Sequence, residues 1–364
     1  MRILPLDERA IGERLVYDIV DSAGRTLLGA GATITPRYLV LLQGRGYASV
    51  PVDNPLAPDL APTDPLPPVL RKRITETVAA SFQRVEHRTV AVTSTLRSVM
   101  NDVLAVLQKS TALTYNLLGL HSLDTYFFVH AVDVCIHSLI IAPALGLDDV
   151  DKRHLGIGAI LHDIGMVYYD GLVSQPGPLT EEQLARVRQH TTDGFELLRR
   201  QTEVDIRSAH VALQHHERLD GSGYPRGLSD EKMHPWAKVV AIAEVFDSVT
   251  SSRNYAPTLS AAEALDLLQA EAQAGHLDPY LVGYFLRHMS RYPVGTIVEL
   301  GDGAVGIAEK GDVPGREPAR VRVLSADGQT RSPVTTRDAD GATPASTVTR
   351  TLSDWPLSLR QEIS

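Results

Sequence analysis

The chain has one cysteine, Cys135, in 364 residues, so no intrachain disulfide can form, and such sparing use of cysteine fits a reducing compartment. It has no surplus of positive charge. With 35 Lys and Arg against 44 Asp and Glu, the net charge is −9, which excludes the broad cationic surface of a protein that binds DNA or RNA polymers. Long apolar runs are missing as well: the stretches near 139–147 and 239–243 fall far short of the roughly 20 residues of a membrane helix. Residues 1–13 carry Arg2, Asp7, Glu8 and Arg9 around no apolar core, unlike a signal peptide. A cytoplasmic protein with no membrane partner is expected.

What is present is an ordinary globular composition, 43% hydrophobic and 22% charged, long enough for two or three domains of about 150 residues each. Residues 1–52 read as a small α/β module: apolar runs flank a turn at 21–25, Thr35-Pro36 caps a helix running to about Gln43, and a strand follows near 49–52. No chemistry is visible in it, and its role is left open. Residues 53–68 hold six prolines and read as a semi-rigid linker. From 69 to 286 the pattern is helical. Ile74, Val78, Phe82 and Val85 recur at spacings of three and four, Thr180 to Gln183 opens one helix with acidic residues, and Ser260 to Glu263 opens another with a capping box. Residues 69–115 are connecting helices, and 116–290 form the main helical domain. Past Pro293, short β-rich runs punctuated by Gly, Pro and Asp predict a small antiparallel sheet over 291–326. Residues 327–364, rich in Ser, Thr, Asp, Arg and Pro, read as a flexible tail. The fold class is therefore mainly α, with a small N-terminal α/β module and a short C-terminal β-rich segment.

The chemistry concentrates in a few places. Residues 215–225 read His-His-Glu-Arg-Leu-Asp-Gly-Ser-Gly-Tyr-Pro: adjacent imidazoles, two acids, two glycines that free the backbone and a proline that fixes it. Upstream lies the pair His162-Asp163. Imidazole with carboxylate is ligand chemistry for zinc, iron or manganese. His130, His162, Asp163, His190, His215 and His216, with Asp247 as a seventh, are the candidate metal ligands. They occupy five helical segments, which a bundle can turn toward one point. Asp163 has two oxygens and can bridge two cations. Glu217 and Asp220 are candidates for orienting the ligand histidines. His137, His154, His210, His234 and His276 are expected to be packing, capping or surface residues, and Cys135 a small buried side chain. Arg186 and Arg188 read as a solvated helix face.

The spacing His130, His162-Asp163, His190, His215-His216 and Asp247 resembles the HD superfamily of phosphohydrolases, and residues 215–225 resemble the HD-GYP signature within it. Asp124-Thr125-Tyr126 ahead of His130, the run 244–251 with Arg253 and Tyr255 after it, and Asp278-Pro279 extend the likeness over about 116–290. The resemblance implies an HD-type helical bundle that hydrolyses cyclic di-GMP to pGpG or GMP through a metal-bridging hydroxide, with His162 and Asp163 at the reaction centre. It implies iron or manganese, with other divalent metals open. In three-metal variants a glutamate lies four residues before the first histidine; Tyr126 stands there in this chain, so a binuclear centre is implied. Tyr224, Arg253, Gly223 and Pro225 are the candidate substrate contacts, Tyr224 by stacking on guanine. One departure matters. The family's lysine three residues after the aspartate, a phosphate contact, is Met166 here. Losing one well-placed cation costs roughly 10²- to 10³-fold in rate, so slow turnover is expected. The alternative is a catalytically weak or inactive cyclic di-GMP receptor or protein-interaction module. A protein partner on the Gly-Tyr-Pro loop and a homodimer are left open.

Overall fold

The computed structural model describes residues 2–16, 19–20, 26–44, 47, 49–54, 57, 59–60, 65–83, 94–109, 123–173, 179–251, 259–311, 319–325, 335–343 and 346–352. The turn expected at 21–25 and the candidate contact Arg253 lie outside them.

The N-terminal module comprises β1 (Arg2–Pro5), β2 (Ile19–Val20), β3 (Thr26–Leu28), α1 (Pro36–Gln43) and β4 (Ser49–Val52). The Thr35 side chain accepts from the Tyr38 amide and Pro36 occupies the first turn, so α1 begins as the sequence predicts. β1 pairs antiparallel with β4, Arg2 opposite Val52. Leu4, Leu15, Ile34, Leu42, Val50 and Val52 close a core separate from that of the helices.

The helical body follows: α2 (Pro68–Gln83), α3 (Ser94–Lys109), α4 (Leu123–Ile141), α5 (Asp149–Ile160), α6 (Asp170–Val173), α7 (Glu181–Val187), α8 (His190–Leu198), α9 (Ile206–Gln214), α10 (Pro235–Thr250), α11 (Ala261–Gln273) and α12 (Pro279–Leu286). Reciprocal capping boxes start α7 (Thr180 with Gln183) and α11 (Ser260 with Glu263). α4 is the central helix. The stretch Phe127–Leu145, with mean hydropathy 1.8, is long and apolar enough to cross a membrane, yet 72% of it is buried within the bundle. The apolar stretch is longer than the sequence reading allowed because the mean hydropathy absorbs the polar residues inside it, His130, Asp133 and His137, all three of which are buried. His137 packs edge-on against Phe246 and Phe285, a packing residue as expected. Asp133 pairs with Arg71 of α2 at 2.6 Å.

Among the described residues five antiparallel strands follow the helical body: β5 (Ile297–Leu300), β6 (Val305–Lys310), β7 (Ala319–Ser325), β8 (Thr335–Ala339) and β9 (Val348–Leu352), in the order β8-β7-β6-β5-β9. Two expectations need correction here. Residues 335–339 and 348–352, read as part of a flexible tail, are strands, and β9 pairs with β5 through Ile297 opposite Leu352. The proline-rich linker is also more than a tether. Ala57 is buried against Ile297, Val305 and Ile307, and Asp59 forms a two-pronged ion pair with Arg322 at 2.7 Å in each arm. Leu66 enters the core of the helical body.

Candidate metal centre

Four segments deliver six of the seven predicted ligands to one point. His130 lies on α4, His162 and Asp163 on the turn after α5, His190 opens α8, and His215 and His216 follow α9. The approach of these segments depends on small residues. A Cβ on Gly165 would lie 2.1 Å from the His190 carbonyl oxygen and 2.8 Å from the Gly194 nitrogen. Any side chain there would push the 3-10 turn Ile164–Tyr168 off α8 and separate Asp163 from His190.

Three of the rings are held by the far nitrogen on backbone carbonyls. The Nδ1 of His162 meets the Ala159 carbonyl oxygen at 2.7 Å, that of His190 the Val187 oxygen at 2.7 Å, and that of His215 the Ala212 oxygen at 3.0 Å. A carbonyl only accepts, so these Nδ1 atoms carry the proton and Nε2 faces inward. His162 and His215 are fully buried, and the buried Nε2 of His162 makes no well-formed hydrogen bond. Around the Asp163 carboxylate the imidazoles form two sets. Oδ2 lies 3.2 Å from His162 Nε2 and 3.9 Å from His130 Nε2. Oδ1 lies 3.2 Å from His190 Nε2 and 3.5 Å from His215 Nε2. Donor atoms of Asp163, His190, His215 and His216 fall within 4.8 Å of one another, as do those of His130, His162 and Asp163.

Asp247 stands apart from both sets. Its Oδ2 sits 2.6 Å from Nδ1 of His130, behind the ring. The carboxylate that faces the cluster is Glu244, whose Oε2 is 2.8 Å from His130 Nε2 and 3.5 Å from His162 Nε2. The sequence reading passed over Glu244 as a site residue. The available signal was a carboxylate one turn before Asp247 in the apolar run of α10, since positions i and i+3 share a helix face.

Charge in the cluster follows this division. Burial opposes protonation of His130, but Glu244 and Asp247 outweigh it and hold that imidazole up at about 9. Burial is likewise overcome at His162, where Asp163 and Glu244 raise the pKa well above the ordinary value. Asp163 and Glu244 are held well below the usual carboxylate range, against burial, by their imidazole neighbours. On the other side, burial keeps His215 below its ordinary value and His216 well below it. A field that stabilises protons between Glu244, His130 and His162 stabilises a metal cation there too, and neutral imidazoles are what His215 and His216 must be to ligate. The donor set fits divalent metal ions.

The 215–225 loop closes over the second set. The Tyr224 ring stacks on His216, centroids 4.6 Å apart and planes at 24°, and its amide donates to the His216 oxygen at 3.2 Å. Gly223 lies against the turn itself, where a Cβ would come 2.4 Å from the Arg218 nitrogen, and Pro225 follows Tyr224 through a cis peptide. Glu217 does not orient the histidines, contrary to the sequence expectation. Its fully buried carboxylate accepts from the amides of Arg226 (2.8 Å) and Leu228 (2.9 Å) and so shapes the loop. Asp220 instead accepts from the Ser222 amide and hydroxyl.

The HD domain family model matches residues 106–281. With the 215–225 run, the match supports placing residues 106–281 in the HD-GYP family of HD domains. Among its relatives, a cyclic di-GMP phosphodiesterase of Pseudomonas aeruginosa, PA4108, is 32% identical over 240 residues, covering 66% of this chain and 58% of that protein. The cyclic di-GMP phosphodiesterase response regulator RpfG of Xanthomonas campestris is 40% identical over 151 residues, 41% of this chain and 39% of that one. A 3'3'-cGAMP-specific phosphodiesterase of Vibrio cholerae is 31% identical over 168 residues, 46% of this chain and 38% of that one. The chain thus spans between 38 and 58% of the length of these relatives.

Proposed function

We propose that this HD-GYP domain hydrolyses the phosphodiester bonds of cyclic di-GMP at a binuclear centre bridged by Asp163. The observation that carries the reading is the division of donors about that carboxylate: Oδ2 faces His130, His162 and the side of Glu244, and Oδ1 faces His190 and His215 beside His216. One oxygen per set is what a bridge requires. We assign Glu244 as a ligand of the first set and Asp247 as the residue that fixes the His130 ring. Two divalent cations, iron or manganese for this nitrogen- and carboxylate-rich set, would supply Lewis acidity to the phosphoryl oxygens and activate water.

The chain's own groups do the rest. Asp247 and the backbone carbonyls orient the imidazoles, and the Gly165 and Gly223 contacts hold the turns in register. Cyclic di-GMP is favoured as substrate because two of the three relatives above act on it by name, and 3'3'-cGAMP is the competitor. A second reading, a receptor with little turnover, draws on Met166. This residue sits in the 3-10 turn three positions after Asp163, where i and i+3 side chains eclipse, so a thioether and not a cation is presented beside the bridge.

The deciding experiment loads purified protein with Mn²⁺ or Fe²⁺, counts the bound metal, and separates the products formed from cyclic di-GMP and 3'3'-cGAMP by nucleotide chromatography. Appearance of pGpG or GMP is expected. Binding of the intact dinucleotide with no product, in a fully loaded protein, would establish the receptor.

A further inference from the structure

A cyclic dinucleotide carries two phosphodiester charges, and only one can lie at the reaction centre; the other must find a cation toward the mouth. Tyr224 packs over the second set of donors, stacked on His216 and edge-on to His190 with centroids 6.4 Å apart. Over that ring lies the guanidinium of Arg188, its central carbon 5.1 Å from the ring centroid. Resting on Tyr224 in this way orients a guanidinium while leaving its N–H edge available.

The backbone of Arg188 is fixed by the same turn that presents His190. Its amide donates to the Leu184 oxygen at 2.9 Å, and its carbonyl accepts from the Thr191 hydroxyl at 3.0 Å. Arg218, in the loop that carries Tyr224, is engaged, donating to the Glu217 carbonyl at 2.9 Å. Among the described residues no carboxylate pairs with Arg188. The 3-10 turn that packs against the start of α8 through Gly165 brings Met166 and no charge. An exposed arginine that is anchored at its backbone, oriented by an aromatic ring and unspent on a carboxylate is a built anion contact.

We propose that Arg188, resting on Tyr224, binds the phosphodiester of the cyclic dinucleotide that is not being cleaved. It is a substrate-binding residue set beside the metal ligands, not the solvated helix-face residue that the sequence suggests. The inference rests on the cyclic-dinucleotide reading of the site. It implies a division of labour: Arg188 governs how tightly substrate is held, and the groups around Asp163 govern how fast it is cleaved.

The test compares Arg188→Ala and Arg188→Lys with the unmodified, metal-loaded chain. Arg188→Ala is expected to raise KM for cyclic di-GMP roughly ten- to a hundredfold, the loss expected for one charged hydrogen bond. The kcat should change less than about threefold, with metal content and Tm unaltered, and Arg188→Lys should recover part of the KM. An unchanged KM, or a fall in kcat accompanied by loss of metal, overturns the proposal. Calorimetric Kd values for cyclic di-GMP are measured on the same proteins. If the unmodified chain binds without cleaving, hydrolysis fails as a function while the same weakening in Arg188→Ala still supports the contact, and equal Kd values overturn it. An unmodified chain that neither binds nor cleaves overturns both.

Discussion

The two halves of the ligand cluster share Asp163 but differ in almost everything else. The half around Oδ2 is buried and acidic: His130 and His162 meet Glu244 as well as the bridge, and their pKa values rise. The half around Oδ1 gathers His190, His215 and His216 under Tyr224, and burial drives His215 and His216 toward the neutral form. The first half is built to hold a cation, since two carboxylates in a low-dielectric setting attract it strongly. The second has one shared carboxylate, so a cation there would keep more of its charge for a phosphate. On the proposed binuclear reading, retention and chemistry would fall on different sides of one carboxylate.

The largest effect on this comparison comes from removing what the halves share. Asp163→Ala is expected to abolish hydrolysis and to lose both cations; metal analysis finding both still bound would remove Asp163 from the bridging role. Next come the two carboxylates of α10, which test the asymmetry. Glu244→Gln keeps the shape but not the charge and should empty the Oδ2 side first, leaving about one cation per chain. Asp247→Asn should retain both cations with affinity reduced about 10- to 100-fold, the usual cost of altering a group that orients a ligand. Metal titrations of the two variants that gave the reverse order would make Asp247 the ligand.

A smaller effect is expected at Met166. A lysine in its place would stand beside Asp163, where negative charge grows during attack on phosphorus. Met166→Lys should raise kcat by about tenfold, or roughly 1.4 kcal/mol of barrier, and leave KM nearly unmoved. That is the opposite signature to Arg188→Ala. A kcat that stays level or falls in a folded, fully metallated variant would count against a missing cation.

The last effect lies behind the cluster and falls on stability, with no change expected in metal binding or turnover. Burial holds His137 down at about 4, against an ordinary 6.5. The unfolded chain takes up that proton near pH 6.5 and the folded one only near 4, so the contribution to stability is complete above 6.5 and is lost as pH falls toward 4. It amounts to roughly 3 kcal/mol at most. His137→Gln does not titrate, and its unfolding free energy should decline less steeply between pH 6.5 and 4. Parallel curves for the two proteins would show that His137 is not buried in the neutral form.

Much of this was legible from residue order alone. The helix caps at Thr35, Thr180 and Ser260 are local hydrogen-bonding patterns, and they appear in the structure where the sequence places them. The run 215–225 is equally local: the paired histidines and Gly223 against their backbone are set by neighbours in the chain, while the loop-shaping contacts of Glu217 were not legible. Partnerships between distant segments were not legible. The linker and the tail look polar or proline-rich, yet Ala57 is buried and β9 is a strand only because β5, some fifty residues earlier, offers it an edge. Glu244 and Asp247 are one turn apart on the same helix, and their sequence cannot say which will meet Nε2 of His130 and which Nδ1. Where α4 lies against α10 decides that, placing Asp247 behind the ring and Glu244 before it. The order of residues determined which chemistry this protein carries, and the packing of helices determined which oxygen and which nitrogen perform it, because ligand geometry is a distance between elements and not a property of either one.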